Sequence, residues 1–444
     1  FGHSRFRAAT GTRVLHAWAQ DAPVGPFRTT PFGREWTATE IDQLHTETKG
    51  SDEALLRAMG LLDFTKAAPR PLALAQTHGT HVLDLAGGYE PGADRRDLPI
   101  LAVNLPAIVA RESSGAFLGL FFLLGFEFLL SRCRAIGAGV PLYVNFSFGL
   151  SGGPRGGEHL IERGINALVT HHRREGGGEV LVTIPAGNRN LARGHAAPPR
   201  RTTRNRALFD LTWRMPPGDP SSNALDLWLR QDGGGAPLSD TITLTLTPPG
   251  STDPLPSQDL KAPEPAKQLS LRDSGELPHS VLLRPAPGAV PIGRATLRRD
   301  IPTGALSLSL VLAPTDPRGS GRVPTPPGDW HLTVKSHDST PDGVRLQAWV
   351  LRDDTLPGFR DGRRQSTFVD AAYQERSPTG FPRAKDDGPA TIRRAGTLNA
   401  IATGTVPSEL GDVHARVVVG GAIGQSGMFA EPEPTPYSAN PLPP

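Results

Sequence analysis

The pattern of apolar residues changes near residue 203, and this change constrains the fold more than any other feature of the chain. Between residue 203 and about residue 385, apolar and polar residues alternate in short runs separated by Pro and Gly turns. The runs are ALFDLTWRM, ALDLWLR, TITLTLT, SVLLR, ALSLSLVL, DWHLTV and VRLQAWVL. Alternation with a period of two indicates strands that bury one face. Seven such strands predict an antiparallel β-sandwich.

The first two hundred residues have a different pattern, in which helical and strand segments alternate as in an α/β protein. Short apolar runs bounded by helix breakers fit buried parallel strands. The predicted strands cover residues 12–18, 100–104, 141–147 and 179–184, and the predicted helices cover residues 38–45 and 52–61.

Apolar α/β character returns after the alternating region, in GTLNAIATG (396–404) and ARVVVGG (415–421). The length of 444 residues also exceeds what one hydrophobic core usually supports. The sequence therefore predicts an α/β core in two parts, residues 1–202 and 386–444, interrupted by an inserted β-sandwich domain at residues 203–385.

Charge and cysteine content limit the classes of function. The net charge of +3 is spread along the chain in short clusters, such as the arginines at 200, 201, 204 and 206, which indicates solvated charge rather than nucleic-acid binding. Cys133 is the only cysteine, so no intrachain disulfide can form. No HExxH or paired-cysteine spacing occurs, so we predict no metal and no cofactor.

One apolar run, AFLGLFFLLGFEFLL at residues 116–130, has the composition of a membrane segment. It is shorter than the roughly 20 residues that a membrane span needs. Glu127 also lies within it. We therefore predict a buried core helix and no membrane span.

The stretch THGTHVLDLAGG (77–88) places His78 at the start of an apolar segment followed by small residues. Imidazole is the side chain whose ordinary pKa lies nearest neutrality, so it can accept and return a proton. Small residues such as Gly79 would let a substrate approach the helix closely. Taken alone, however, His78 could equally be a histidine at a helix start with no task.

HGTHV followed by small residues resembles the catalytic-histidine motif of the subtilisin-like serine proteases, the subtilases. The resemblance implies that His78 is the general base. It also implies that His81, the second histidine of the motif, packs within the helix.

A second motif, IPAGNRN at residues 184–190, closes a predicted strand and resembles the oxyanion-hole motif of the same family. Asn188 is the matching residue. An amide on a loop that contains glycine can direct its N–H at the oxygen that becomes negative when a peptide carbonyl is attacked. Without the resemblance, a simple turn with a residue in the left-handed region is the better explanation of the Gly-Asn pair.

A third motif, VNFSFG at residues 144–149, resembles the family strand that pairs with substrate through its backbone. Ser147, Phe148 and Gly149 correspond to the substrate-binding positions. Backbone pairing provides affinity without selecting side chains, which suits an endopeptidase. An ordinary buried strand is the alternative interpretation.

The three motifs occur in the family's order, and Tyr437 and Ser438 resemble residues that precede its nucleophile. The resemblance covers residues 1–200 and 390–444 and is to a bacterial subgroup with a large inserted β-domain. It implies a subtilisin-like parallel sheet flanked by helices with an inserted antiparallel β-sandwich. The implied activity is hydrolysis of peptide bonds in peptides or proteins through an acyl-enzyme, and either an extracellular or a cytoplasmic location is compatible with it.

Two catalytic motifs of the family are missing. No Asp-x-Gly precedes His78, and no Gly-Thr-Ser occurs anywhere in the chain. We therefore expect a fragment that lacks the catalytic Asp and Ser and is inactive as it stands. Asp21 and Ser426 are in the wrong places in the sequence to be the missing Asp and Ser. An alternative enzyme class is an α/β-hydrolase, in which Ser151 of GLSGG would be the nucleophile. A catalytically inactive protein that binds a partner through the sandwich is the second functional hypothesis.

Overall fold

The structure, a computed structural model, describes most of the chain. The described residues are 1–25, 29–61, 78–90, 98–112, 115, 117–155, 157, 159–203, 206–231, 238–262, 280–300, 303–319, 321–337, 343–354, 362–380, 383, 386, 388–397, 399–401 and 416–419.

The helices are concentrated in the first 175 residues. They are α1 (Ala38–Glu47), α2 (Asp52–Ala58), α3 (His78–Gly87), α4 (Ala107–Arg111), α5 (Leu118–Ile136) and α6 (Leu160–Arg174), with a 3-10 turn at Ser4–Phe6.

Strands occur along the whole described chain. They are β1 (Arg7–Ala8), β2 (Gly11–Thr12), β3 (Val14–Ala19), β4 (Arg34–Thr37), β5 (Ile100–Asn104), β6 (Leu142–Asn145), β7 (Val180–Pro185), β8 (His195–Ala196), β9 (Arg201–Thr203), β10 (Arg206–Met215), β11 (Asn223–Gln231), β12 (Thr241–Thr247), β13 (Gln258–Lys261), β14 (Ser280–Leu283), β15 (Gly293–Arg299), β16 (Leu306–Leu312), β17 (Gly328–Ser336), β18 (Val344–Val350), β19 (Thr367–Phe368) and β20 (Arg416–Val419).

Two six-stranded antiparallel sheets form the largest core. One has the order β13-β12-β17-β10-β19, with β9 paired to β10, and the other has the order β14-β15-β16-β11-β18-β8. Each of the seven alternating runs in the sequence forms a strand of these sheets. Their apolar side chains share one core, in which Trp213 and Trp330 lie opposite each other in the strand register and are fully buried. The period of two in the sequence thus places one face of each strand in this core.

Parallel pairing is confined to two small sheets within the described residues. One has the order β4-β3-β5, in which β3 and β5 are parallel, and the other has the order β20-β7-β6, in which both pairings are parallel. The first sheet packs with α1 and α2, and the second packs with α5 and α6. Each sheet therefore has a hydrophobic core of its own.

The predicted subtilisin-like parallel sheet flanked by helices is wrong as a description of this fold. The structure is mostly antiparallel, with 21% of its residues in helices and 32% in strands. The physical reason is that a short apolar run shows that a strand is buried but does not show which strand it pairs with. The runs at β5, β6 and β7 form two small sheets, whereas the longer alternating runs supply most of the strand pairing.

Local sequence signals account for where the helices begin. Thr37 and Glu40 form a reciprocal capping box at the start of α1, and the Ser51 hydroxyl accepts a hydrogen bond from the Ala54 N–H at the start of α2. At α6 the cap is His159, whose ring nitrogen accepts from the Ile161 N–H. Such caps satisfy N–H groups that have no partner inside the helix.

The apolar run predicted as a core helix forms α5, which packs against β5 and α6. Seven of its residues are buried, among them Phe122 and Phe126, whose rings stack with a centroid separation of 5.8 Å. Glu127 pairs with Arg134 at 3.1 Å at the helix surface. Among the described residues, no helix is long and apolar enough to cross a membrane.

An ion pair joins α5 to the β4-β3-β5 sheet. The carboxylate of Glu35, whose side chain is 5% exposed, accepts two hydrogen bonds of 2.5 Å from Arg132. The same carboxylate lies 2.8 Å from Nδ1 of His16. Burial raises the pKa of Glu35, but the hydrogen bonds and charge of Arg132, together with hydrogen bonds from Thr29 and His16, outweigh burial and hold this pKa below its ordinary value.

We expect this pair to contribute to stability at neutral pH and to lose that contribution in acid. A carboxyl whose pKa is lower in the folded state stabilises the fold above its unfolded pKa, near 4.3, and loses this effect as the pH falls through the folded pKa. Glu35→Gln should therefore lower the free energy of unfolding at pH 7 by about 2 kcal/mol. Urea denaturation between pH 7 and pH 2 measures this change, and the variant should show a shallower decline with acid. Glu53→Gln, in an exposed pair with Arg57, is the matched control and should change the curve little. A Glu35→Gln curve parallel to that of the wild type would contradict the assignment.

Candidate functional site

The chain segments that leave β6 and β7 lie side by side. The two strands are parallel, with Asn145 opposite Thr183, and the Phe146 N–H continues the pairing by donating to the Thr183 carbonyl at 3.0 Å. Ser147 follows at the surface, and Phe148 and Gly149 are half-buried. Carboxyl ends of parallel strands meet at one edge of a sheet, which is where α/β proteins commonly bind ligands.

The backbone of β6 has an open side. The Leu142 N–H donates to the carbonyl of Glu179, the residue before β7, at 2.8 Å, and the Phe146 N–H donates to that of Thr183 in β7 at 3.0 Å. Backbone groups alternate in direction along a strand, so those of Tyr143, Asn145 and Ser147 point away from β7. Tyr143 is 71% exposed, and in the described part of the chain no strand pairs with this edge of β6. An extended peptide could therefore add to it through backbone hydrogen bonds.

A buried side-chain amide connects the segments that follow β6 and β7. The Nδ2 group of Asn399 donates to the carbonyls of Phe148 and Pro185, both at 3.1 Å, and its Oδ1 accepts from the Leu150 N–H at 2.9 Å. The Asn399 backbone N–H donates to the Ala186 carbonyl at 2.8 Å. Only 3% of Asn399 is exposed. This one residue therefore sets the spacing between the two segments.

The loop after β7 presents Asn188 to solvent. Gly187 has a φ of 99°, a conformation that glycine adopts readily and that bends the chain directly after the strand. Asn188 is exposed, and none of the described residues forms a hydrogen bond with its side chain. The alternative interpretation of this Gly-Asn pair, a turn with one residue in the left-handed region, agrees with this geometry as well, because Gly187 has a positive φ. The Asn188 amide is thus available to a ligand.

His78 is the first residue of α3 and is exposed. Space around this end of the helix is open, since a Cβ added at Gly79 would meet nothing within 4 Å. His81, which the family motif implied to be packed, is exposed as well. Thr77, the first residue of the motif, lies outside the described residues.

The other end of α3 is held by two arginines. Arg13 is 5% exposed and donates to the carbonyls of Leu98 and Arg5, at 3.1 and 3.0 Å, and to the Gly87 carbonyl at the helix end. Arg5 pairs with Asp84 of α3. Cations are favourable near the carboxyl end of a helix. Burial lowers the pKa of Arg13 from its ordinary value.

The predicted site residues fall into two groups. Ser147, Phe148, Gly149 and Asn188 lie on the two segments that Asn399 joins. His78 lies on α3, which packs beside the 3-10 turn at Ser4–Phe6. No hydrogen bond or ion pair between described residues connects His78 to the other group.

The alternative nucleophiles have other surroundings. Ser151 is buried, and its hydroxyl accepts from the Arg352 N–H at 2.7 Å. The next helix begins only at Leu160, so the strand-to-helix elbow of an α/β-hydrolase is not formed. Asp21 accepts from the Ala107 N–H at 3.3 Å at the start of α4. Ser426, Tyr437 and Ser438 lie outside the described residues.

Asn399 and Arg13 were not recognised as candidates from the sequence. The signal for Asn399 is a polar residue within GTLNAIATG, where burial would require hydrogen-bond partners. Arg13 lies between turn residues and an apolar strand, which gives no comparable signal. Across the described ranges, no group of three or more His, Cys, Asp or Glu side chains is placed to hold a metal ion.

Asn399→Ala should be strongly destabilising, because it removes the partners of the Phe148 and Pro185 carbonyls and of the Leu150 N–H. Buried groups left unpaired cost about 1–3 kcal/mol each, so we expect a loss of about 3 kcal/mol in the free energy of unfolding. Asn188→Ala is the matched control, since its exposed amide should contribute less than about 0.5 kcal/mol. Thermal and urea unfolding of both variants measures the difference. Equal losses would refute the role assigned to Asn399.

Comparison with known proteins gives one informative result. No family model matches the chain, and no curated protein matches it. Among solved structures, the Clostridium perfringens CspB protease is similar, with a TM-score of 0.54 and 13% sequence identity over 99% of this chain and 77% of that chain. The fold of this chain is therefore shared with that of a protease.

Proposed function

We propose that this chain belongs to a serine endopeptidase of subtilisin type that hydrolyses peptide bonds through an acyl-enzyme. The observation that carries the proposal is the pair of segments after β6 and β7, one with an open backbone edge and the other with an exposed amide, tied together by Asn399. The likeness to the CspB protease supports a peptidase, and the order of the three sequence motifs supports the subtilisin type.

The substrate would bind as an added strand. Ser147 to Gly149 would pair with the residues before the scissile bond, using backbone groups that point away from β7. Such pairing reads the extended shape of the substrate rather than its side chains. The half-buried Phe148 lies among these positions and packs against the core that β6 and β7 share with α5 and α6, so its backbone is held in place when substrate pairs with it.

The chemistry would need a base and an oxyanion donor. His78 would take the proton of the attacking serine hydroxyl and return it to the leaving amine, so that one side chain serves both steps. Asn188 would donate to the carbonyl oxygen as it becomes negative. Because no Gly-Thr-Ser motif occurs in the chain, we assign the nucleophile to none of its residues.

We also propose the domain division predicted from the sequence, with a β-sandwich domain at 203–385 between core parts at 1–202 and 386–444. Ala400 and Ile401 support it, because they pack in the core of β6 and β7 although they follow the antiparallel strands in sequence. Two residues near the boundaries, Ala196 and Ile392, pack instead in the sandwich core. These two residues form an antiparallel β-bridge, so the segments that enter and leave the proposed sandwich domain lie side by side.

The proposal is tested with the complete gene product that contains this chain. A fluorophosphonate should label one serine, and a protein substrate should be cleaved. Asn188→Ala should lower kcat by about 100- to 1,000-fold, since it removes one oxyanion donor. His78→Ala should lower kcat by about 10⁴-fold or more, because the serine loses its base.

Asn145→Ala serves as the control, since Asn145 is exposed beside the site and, among the described residues, its side chain bonds only to those of Ser147 and Thr183. It should change kcat by less than about threefold. A wild-type protein that is neither labelled nor active would favour the inactive binding protein instead. If the labelled serine reacts equally in the wild type and in His78→Ala, the base is another residue and the role proposed for His78 is wrong.

A further inference from the structure

Part of the outer surface of the second antiparallel sheet is covered. Asp226 and Trp228 alternate along β11 with its core leucines and therefore point away from the sandwich core. Trp349 of β18 lies opposite Asp226 in the strand register. These three residues are only 9%, 5% and 3% exposed. Another part of the chain must therefore lie over them.

Asp226 and Trp349 are covered by residues 150–155, which directly follow the proposed substrate segment Ser147–Gly149. Trp228 packs beside Trp349 and Ala305. The Gly153 N–H donates to Oδ2 of Asp226 at 2.6 Å. Gly153 has a φ of 110°, a conformation that glycine adopts readily, and a Cβ added at Gly152 would come within 2.5 Å of Cδ2 of Leu351. The GLSGG sequence, which resembled a nucleophile elbow, is thus explained by packing against the sheet.

Arg155 closes the contact. Its guanidinium carbon lies 4.5 Å from the ring centroid of Trp349, within cation–π range. Its Nη2 donates to the Ser151 carbonyl at 2.6 Å. Burial lowers the pKa of Arg155 to about 9 against the opposing charge of Asp226, so the guanidinium remains positive at neutral pH.

Trp349 makes two further contacts that hold its ring in place. The ring of His195 stacks on it with an interplanar angle of 8° and a centroid distance of 4.8 Å. The indole N–H donates to the Gly396 carbonyl at 2.9 Å. Burial lowers the pKa of His195 to about 3, so this ring is neutral at physiological pH and does not repel Arg155. Trp349 is therefore a rigid support for Arg155.

We infer that Arg155, Asp226 and Trp349 form a clamp by which the antiparallel sheet positions Ser147–Gly149 for an extended peptide substrate. The inference rests on the proposed function and adds a role for the sandwich in substrate affinity. Gly149 and Ser151 are separated by one residue, so their Cα atoms are at most about 7 Å apart. Ser151 is anchored to Arg155 and Arg352, and this anchoring limits the positions that Gly149 can take. The three residues of the clamp are positioning residues and do not touch the reacting atoms.

The first measurement is amide hydrogen exchange on the complete gene product. Asp226→Ala removes the acceptor of the Gly153 N–H, so exchange in residues 147–153 should accelerate by about tenfold or more. Asp226→Asn keeps an acceptor oxygen of the same size and should remain within about threefold of the wild type. Unchanged exchange in Asp226→Ala would overturn the clamp.

The second measurement is steady-state kinetics with two substrates, a peptide with four residues before the scissile bond and an ester with one. Asp226→Ala should raise KM for the long peptide by about tenfold, leave its kcat within about twofold, and change the short ester little. Asp226→Asn should restore most of the affinity. An equal change with both substrates, or no change with either, would overturn the positioning role.

Leu297→Ala is the control for lost stability, because Leu297 is fully buried in β15 of the same sheet and is not part of the clamp. It should lower the melting temperature without altering exchange at 147–153 or KM. If Leu297→Ala changed exchange and KM as Asp226→Ala does, these changes would result from lost stability, and the positioning role of the clamp would be overturned. A wild-type protein that fluorophosphonate does not label would overturn the proposed function, whereas exchange at 147–153 would still decide whether the sheet holds this segment.

Discussion

The arrangement of the candidate site depends on the buried amide of Asn399. Backbone groups at the ends of β6 and β7 leave the regular strand pairing, so their donors and acceptors need other partners once they are buried. One asparagine side chain supplies both donors and an acceptor, and it meets groups from both segments. A hydrophobic residue of similar size could fill this space, but it could not hold Phe148 and Pro185 at a set separation. The spacing that a peptide substrate would encounter is therefore determined by hydrogen-bond geometry rather than by close packing alone.

The alternation that builds the sandwich also explains its connection to the site. A strand with a period of two offers one face to the core and leaves the other face free for a second contact. In β11 the inward leucines pack in the sandwich core, whereas the outward Asp226 lies beneath residues 150–155. The glycines of this segment allow the backbone to lie directly on the sheet. The alternating pattern of β11 by itself indicates only a half-buried strand. In the structure, its outward face also provides a surface on which a loop packs.

The sequence predicted individual elements better than it predicted their assembly. Periodicity located β10, β12 and β16 because the pleat imposes it locally, and an unbroken apolar run located α5. The pairing of β5, β6 and β7 could not be obtained in this way, since a short apolar run fits any buried strand. For the site, the residue types and order of the motifs led to Asn188 and His78. The partners of Asn399 could not be predicted, because they lie more than two hundred positions away in the sequence.

The charges buried between residues 150–155 and the sheet contribute more to specificity than to stability. Burying a cation and a carboxylate has a desolvation cost that their attraction often fails to recover, so apolar residues could join the two surfaces at least as tightly. Apolar contacts tolerate sliding, however, whereas a carboxylate that accepts one backbone N–H and a guanidinium above one indole ring allow few alternative arrangements. Oδ2 of Asp226 lies 2.6 Å from the backbone nitrogen of Gly153, and the guanidinium carbon of Arg155 lies 4.5 Å from the ring centroid of Trp349. We therefore interpret the polar contact as a device that selects one position of the loop, and a site that binds extended backbone requires such a defined position.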